Sequence, residues 1–164
     1  MTVWADADSL PREARELIGR RTRRPAGESA GIEAVFVSNR KIPLPAGENL
    51  RAELVAAGDG MADDRMLAAA LPGDILVTRD LPLAARAVEA GLLVINDRGE
   101  SWDAGTVRER LSLRDRAEEL RKAGIAAPMD RGRGYGPREA RAFAGALDRA
   151  LAAASRLALS RRTS

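Results

Sequence analysis

The sequence predicts an α/β protein with a mainly parallel sheet of about five strands, and three observations carry that prediction. Short runs rich in Val, Ile, Leu and Phe recur along the chain, too apolar to face water on either side. Segments with helical spacing alternate with them. The runs also close in polar or acidic residues, so the chain leaves each buried strand at a wet edge.

The first run, Val3-Trp4-Ala5-Asp6-Ala7-Asp8-Ser9, delivers two carboxylates to that edge and turns into a helix at Leu10-Pro11. Asp8 or Ser9 has a second explanation as that helix's N-cap, with Pro11 in the first turn. Ala14, Leu17 and Ile18 form the helix's apolar stripe, with Arg12, Arg15, Glu16 and Arg20 on its wet side. After a Pro/Gly loop from Pro25 to Gly31, Ile32 to Val37 reads as the second strand, followed by Ser38-Asn39-Arg40-Lys41. That polar, cationic segment either holds a phosphate or is turn chemistry.

Leu50 to Val55 is a weaker strand, and Gly58-Asp59-Gly60 breaks the chain before a helix opening at Met61. Asp63 and Asp64 suit the positive end of that helix. Ile75 to Thr78 is the fourth strand, closing in Thr78-Arg79-Asp80, where Asp80 can cap the helix that begins at Leu81-Pro82. Leu83, Ala84, Ala87 and Val88 face inward, and Gly91 stops the helix. Leu92 to Ile95 is the fifth strand, leading into Asn96-Asp97-Arg98-Gly99. Two longer helices follow, one marked by Val107, Leu111, Ala117 and Leu120 and the other by Ala140, Phe143, Leu147, Leu151 and Ala154.

At 164 residues the chain is one domain's length. The expected organisation is an α/β body over 1–127, a basic, glycine-rich connector over 128–136, and a C-terminal helix over 137–160 packed on the same body. Ser160 to Ser164 is expected to be a disordered tail. No apolar run is long enough to cross a bilayer and no secretory signal precedes the first strand, so a soluble cytoplasmic protein without a membrane partner is expected. A homodimer is a further expectation. Of 27 basic residues only Lys41 and Lys122 are lysines. Residues 128–164 hold eight arginines against Asp130, Glu139 and Asp148, a basic tail that suits a polyanion or simply solvates a helix face.

Cysteine and histidine are both absent. Thiol nucleophiles, disulfides, serine-histidine triads and most zinc sites are thereby excluded, which leaves carboxylates to do any catalysis. Asp6, Asp63 and Asp80 fall at a strand end, a helix start and a second strand end, while Asp8 and Asp97 fall at comparable places. Like charges gathered at one edge raise each other's pKa unless a cation neutralises them, so a shared Mg2+ or Mn2+ is expected there. Asp6, Asp63 and Asp80 are then the catalytic acids and metal ligands, with Asp8 and Asp97 auxiliary. Thr78, with Ser9 and Asn39, would orient carboxylates or bound water, although Thr78 also suits the strand as a β-former.

The order Asp6-Ala7-Asp8, Gly58-x-x-x-Ala62-Asp63 and Thr78-Arg79-Asp80-x-Pro82-Leu83-Ala84 resembles the PIN-like superfamily, and more narrowly the YaiI/YqxD family, domain of unknown function 188. The resemblance extends through Asn96-x-Arg98-Gly99-Glu100, Arg108-Glu109-Arg110-Leu111 and Leu120-Arg121-x-x-Gly124 to Asp148. It implies a three-layer α/β/α sandwich with an acidic pocket, and the magnesium- or manganese-dependent ribonuclease activity found among PIN-like proteins. Asp6, Asp63 and Asp80 match the acidic pattern best. The chain departs from the family at Ser9, often cysteine, and at Gly60, often an acid.

The leading expectation is therefore a metal-dependent nuclease acting on nucleic acid, RNA rather than DNA, with Arg40, Lys41, Arg98, Arg131, Arg133 and Tyr135 as binding residues. A non-catalytic RNA-binding module is the alternative. On the bland reading, Arg131 to Pro137 is a hinge and Trp4 and Trp102 are packing residues. A strand ending in aspartate-x-aspartate also opens haloacid-dehalogenase-like phosphatases, but those need a lysine on a later strand, and Lys41 comes early and Lys122 late.

Overall fold

The structure, a computed structural model, describes residues 1–23, 32–125 and 134–162. Its elements are β1 (Thr2–Asp6), α1 (Arg12–Thr22), β2 (Glu33–Ser38), β3 (Leu50–Leu54), α2 (Met61–Ala69), β4 (Ile75–Val77), α3 (Leu81–Glu89), β5 (Leu93–Ile95), β6 (Ser101–Trp102), α4 (Ala104–Lys122) and α5 (Pro137–Arg162). Pro11 occupies the N-cap of α1 without a side-chain cap bond, so neither Asp8 nor Ser9 caps that helix. A sixth strand, unforeseen because it is only two residues long, returns antiparallel to β5 and pairs Val94 with Trp102.

The sheet order is β3-β2-β1-β4-β5-β6, parallel except at β6. From β1 the chain builds outward on one side through β2 and β3, then α2 carries it across to β4 on the other side. The order therefore reverses between β1 and β4, and in open α/β sheets a crevice opens beyond the strand ends at such a reversal.

Side chains alternate between two cores. Val3, Ala5, Phe36, Ile75 and Val77 meet Leu17 and Ile18 of α1 and Phe143 and Leu147 of α5. Trp4, Val35, Val37 and Leu76 meet Met66 of α2, Leu83 and Ala87 of α3, and Val107 of α4. Helices thus cover both faces, which makes a three-layer α/β/α sandwich, and both tryptophans are packing residues. Edge strand β3 stays wet and is charged, with Arg51 bonded to Glu33 at 2.9 Å and to Glu53 at 2.8 Å.

Two helices differ from expectation. In α4 only Val107 is buried, and Leu120 of its expected apolar stripe is 38% exposed because this long helix extends beyond α3 and β6. Helix α5 continues to Arg162, so Ser160, placed by the sequence reading in a disordered tail, is helical. Most of the connector lies outside the described residues.

Gly99 fastens α5 to the sheet edge. Its φ is +87°, and a Cβ would lie 2.6 Å from the Ala142 carbonyl carbon and oxygen. Gly99→Ala is expected to cost about 3 kcal/mol in urea unfolding, from left-handed strain plus a backbone clash. A loss well under 1 kcal/mol would contradict this packing.

Candidate active site

Four strand ends and one helix start converge on the crevice. β1 ends at Asp6, which is buried at 7% exposure. The fully buried Thr78, one residue past β4, donates its Oγ1–H to Asp6 Oδ2 at 2.7 Å and accepts from the Asp80 amide at 3.0 Å. One hydroxyl thereby orients the carboxylate of β1 and shapes the turn that presents Asp80. Asp80 caps α3, accepting from the Leu83 amide through Oδ1 at 2.8 Å, so its capping role and its place in the crevice coexist. Ser9 stitches the same two loops, donating to the Asp6 carbonyl at 3.1 Å and accepting from the Arg79 amide at 3.3 Å.

Asp63 arrives from α2, whose N-cap Gly60 has φ +75° and lets the chain turn sharply into the helix. Met66 pins that helix to the core. Burial, then the negative charges of Asp80 and Asp6, push the Asp63 carboxyl up to about 6. Burial also raises Asp6, partly countered by its bonds from Thr78 and Ser9, and the Asp80 charge raises it further. Asp6, Asp63 and Asp80 thus act on one another electrostatically although they come from three elements. Among the described residues no three acidic side chains are drawn close enough to surround a metal ion in the arrangement shown.

The two auxiliary acids are spoken for. Asp8 accepts from the Asn39 amide at 2.6 Å and from Arg40 Nε at 3.0 Å, which ties the end of β1 to the end of β2. Asn39 therefore acts here through its backbone, and Arg40 is an ion-pair partner before it is a phosphate ligand. Asp97, completely buried, is gripped by Arg79 through Nε at 2.7 Å and through Nη2. In that pair the guanidinium already neutralises the carboxylate that the sequence suggests as a fourth metal acid.

Removing the guanidinium would strand a charge in the interior, whereas removing the acid frees Arg79, whose side chain is 40% exposed, to reach water. Arg79→Ala is accordingly expected to lose about 2 kcal/mol of stability and Asp97→Asn clearly less. Equal losses in chemical denaturation would contradict that asymmetry.

Of the expected nucleic-acid contacts, Lys41 and Arg98 are exposed, and Arg131 and Arg133 lie outside the described residues. Tyr135 does not stand free as a stacking platform. It packs against the α1/α5 core with its hydroxyl buried and, among the described residues, without a hydrogen-bond partner, and burial, then the charge of Asp97, push that hydroxyl up to about 12. Sequence reasoning also missed Arg15, assigned to the wet face of α1. It is 9% exposed and donates from Nη1 to the Ala7 carbonyl at 2.9 Å, holding the loop that carries Asp8. A lone arginine in a helix otherwise rich in arginine gives no local signal of burial.

Fold and site together define a class: a doubly wound, largely parallel α/β domain with three carboxylates within electrostatic reach of one another beside the reversal of strand order. Within that class the chain belongs to the uncharacterised YaiI/YqxD family, domain of unknown function 188, whose model matches residues 4–153. It is 39% identical over 153 residues to a UPF0178 protein of Bordetella parapertussis, covering 92% of this chain and 90% of that one. A UPF0178 protein of Vibrio cholerae is 38% identical over 152 residues, covering 93% and 97%. One from Myxococcus xanthus is 39% identical over 151 residues, covering 92% and 94%. No solved structure matches. No helix among the described residues is long and apolar enough to cross a membrane.

Proposed function

We propose that the protein is a cytoplasmic, divalent-metal-dependent nuclease that hydrolyses phosphodiester bonds, in RNA rather than DNA. The elevation of the Asp63 and Asp6 carboxyls, by burial and by the negative charge of neighbouring Asp80, supports this reading above all else. A dication relieves that repulsion, and an all-oxygen donor set suits magnesium or manganese. Magnesium is commonly held by one or two carboxylates, with water and substrate phosphate completing its shell, so the three residues fit such an ion without closing around it.

When bound, the ion supplies Lewis-acid polarisation of the phosphodiester and a more acidic water. The chain's own residues do the positioning. Thr78 fixes the rotamer of Asp6, the α3 cap fixes Asp80, and Lys41 supplies exposed positive charge near the end of β2 for the substrate backbone. The preference for RNA rests on the resemblance of the acid-bearing motifs to PIN-like ribonucleases.

Purified protein is expected to cleave single-stranded or structured RNA with magnesium or manganese and to stop on chelation. Failure to cleave single-stranded, duplex or structured nucleic acid with either metal would end the nuclease reading. The engagement of Asp8 and Asp97 in ion pairs favours one second reading, a non-catalytic RNA-binding module on the same fold. Binding that survives chelation and falls steeply with salt, without cleavage, would favour that module.

A further inference from the structure

A second concavity lies away from the acidic crevice, at the open edge of the sheet. It has a volume of about 570 Å³ and lies between α3, the β5–β6 pair and α5. Its existence follows from the layer count. On the face served by α1 and α5 two helices must cover a six-stranded sheet, and β6 contributes only two residues, so the outer strands are incompletely roofed. Where α5 passes over this edge it carries alanines, and Ala150, Ala152 and Ala153 are too small to fill the space against Val88, Leu93 and Trp102.

Two cations stand over this apolar lining. Arg149 and Arg156 are seven residues apart on α5, two helical turns on one face, and both border the cavity. Neither forms an ion pair among the described residues. The acids nearby are already engaged. Asp103, also on the border, accepts from the Gly105 and Thr106 amides as the N-cap of α4, and Asp148 pairs with Arg21 at 3.0 Å. In addition, the buried indole N–H of Trp102 has no hydrogen-bond partner among the described residues. An apolar hollow with a few polar groups at one side is the usual form of a small-ligand site.

We propose that this cavity binds a small amphipathic carboxylate, its hydrocarbon part against Val88, Leu93, Trp102 and the α5 alanines and its carboxylate between Arg149 and Arg156. The charge complementarity selects an anion, and the apolar walls select a hydrocarbon tail over a sugar or a free phosphate. The site is separate from the acidic crevice, so the proposal stands or falls independently of nuclease activity.

The test titrates the full chain with octanoate and follows tryptophan fluorescence, because Trp102 forms one wall. Octanol tests the need for charge, and inorganic phosphate tests the need for a tail. Saturable octanoate binding is expected, with octanol and phosphate each at least about tenfold weaker. The exposed pair Arg149→Ala and Arg156→Ala, made together, should weaken octanoate binding about tenfold or more without lowering the melting temperature. Ala153→Phe, which fills the hollow, should abolish the response. The proposal is overturned by absence of saturation up to about 10 mM octanoate, by octanol or phosphate matching octanoate, or by an unchanged affinity in the double arginine variant.

Discussion

Asp6→Asn is expected to reduce RNA cleavage on the order of a thousandfold while raising the melting temperature of the metal-free protein at neutral pH. The two effects share one cause. Folding raises the Asp6 pKa, chiefly by burial, from its ordinary value of 3.8, so the native state binds this proton more tightly than the unfolded chain does. Stability contributed by this group is then intact below pH 3.8 and falls as pH rises towards the elevated native value. At neutral pH this raised carboxyl is a net cost to folding in the absence of a cation. Asparagine is uncharged and retains an acceptor for the Thr78 hydroxyl, so it removes the cost and keeps the geometry.

Asp63→Asn should behave alike, with its window running from 3.8 to about 6. Magnesium supplies the complementary measurement. At a hundred times its dissociation constant a native-state ligand stabilises by about 2.7 kcal/mol, and this increment should appear in the wild type and shrink sharply in both variants. Undiminished cleavage by Asp6→Asn, or a magnesium-induced shift as large in Asp6→Asn and Asp63→Asn as in the wild type, would remove the site from consideration.

Phe143→Ala should destabilise the protein by about 3–5 kcal/mol, the largest single loss expected from the core. Phe143 has no exposed surface, and it joins α5 to the β1, β2 and β4 side chains and to α1. Replacing it leaves a cavity that the surrounding sheet and helix can close only in part. Equilibrium urea unfolding should show one transition at a lower midpoint, because α5 belongs to the same cooperative unit as the sheet. Leu113→Ala on α4 is the internal contrast. That side chain is 54% exposed, and its loss should shift stability by no more than about 0.5 kcal/mol. If Phe143→Ala produced a separate early transition, or cost no more than Leu113→Ala, α5 would be an appendage rather than part of the core.

Much of the fold was legible because its signals are local. The continuous apolar runs gave β1, β2, β4 and β5 to within a residue or so, and Gly91, with φ +80°, ends α3 where expected. Strand β6 was not legible, since two residues carry no periodicity. The overestimate of burial in α4 has a related origin. Leu111, Ala117 and Leu120 have helical spacing, but spacing does not reveal how far a helix extends past the elements it packs on. The departure from the family's common acid at Gly60 also gains a local reason, because that residue adopts the left-handed conformation at the N-cap of α2.

By itself the sequence determined the kind and order of the elements, the absence of thiol and imidazole chemistry, and the placement of acids where strands end. These follow from side-chain periodicity and composition, which act over a few neighbouring residues. Only the tertiary structure decided that Asp8 and Asp97 are each paired with an arginine. The order β3-β2-β1-β4-β5-β6 puts Arg40 of one strand end against Asp8 of the next and Arg79 against Asp97, and leaves Asp6, Asp63 and Asp80 within electrostatic reach of one another. Coulomb interactions act through space between residues dozens of positions apart, so the pairing of charges is settled by the sheet and not by the chain order.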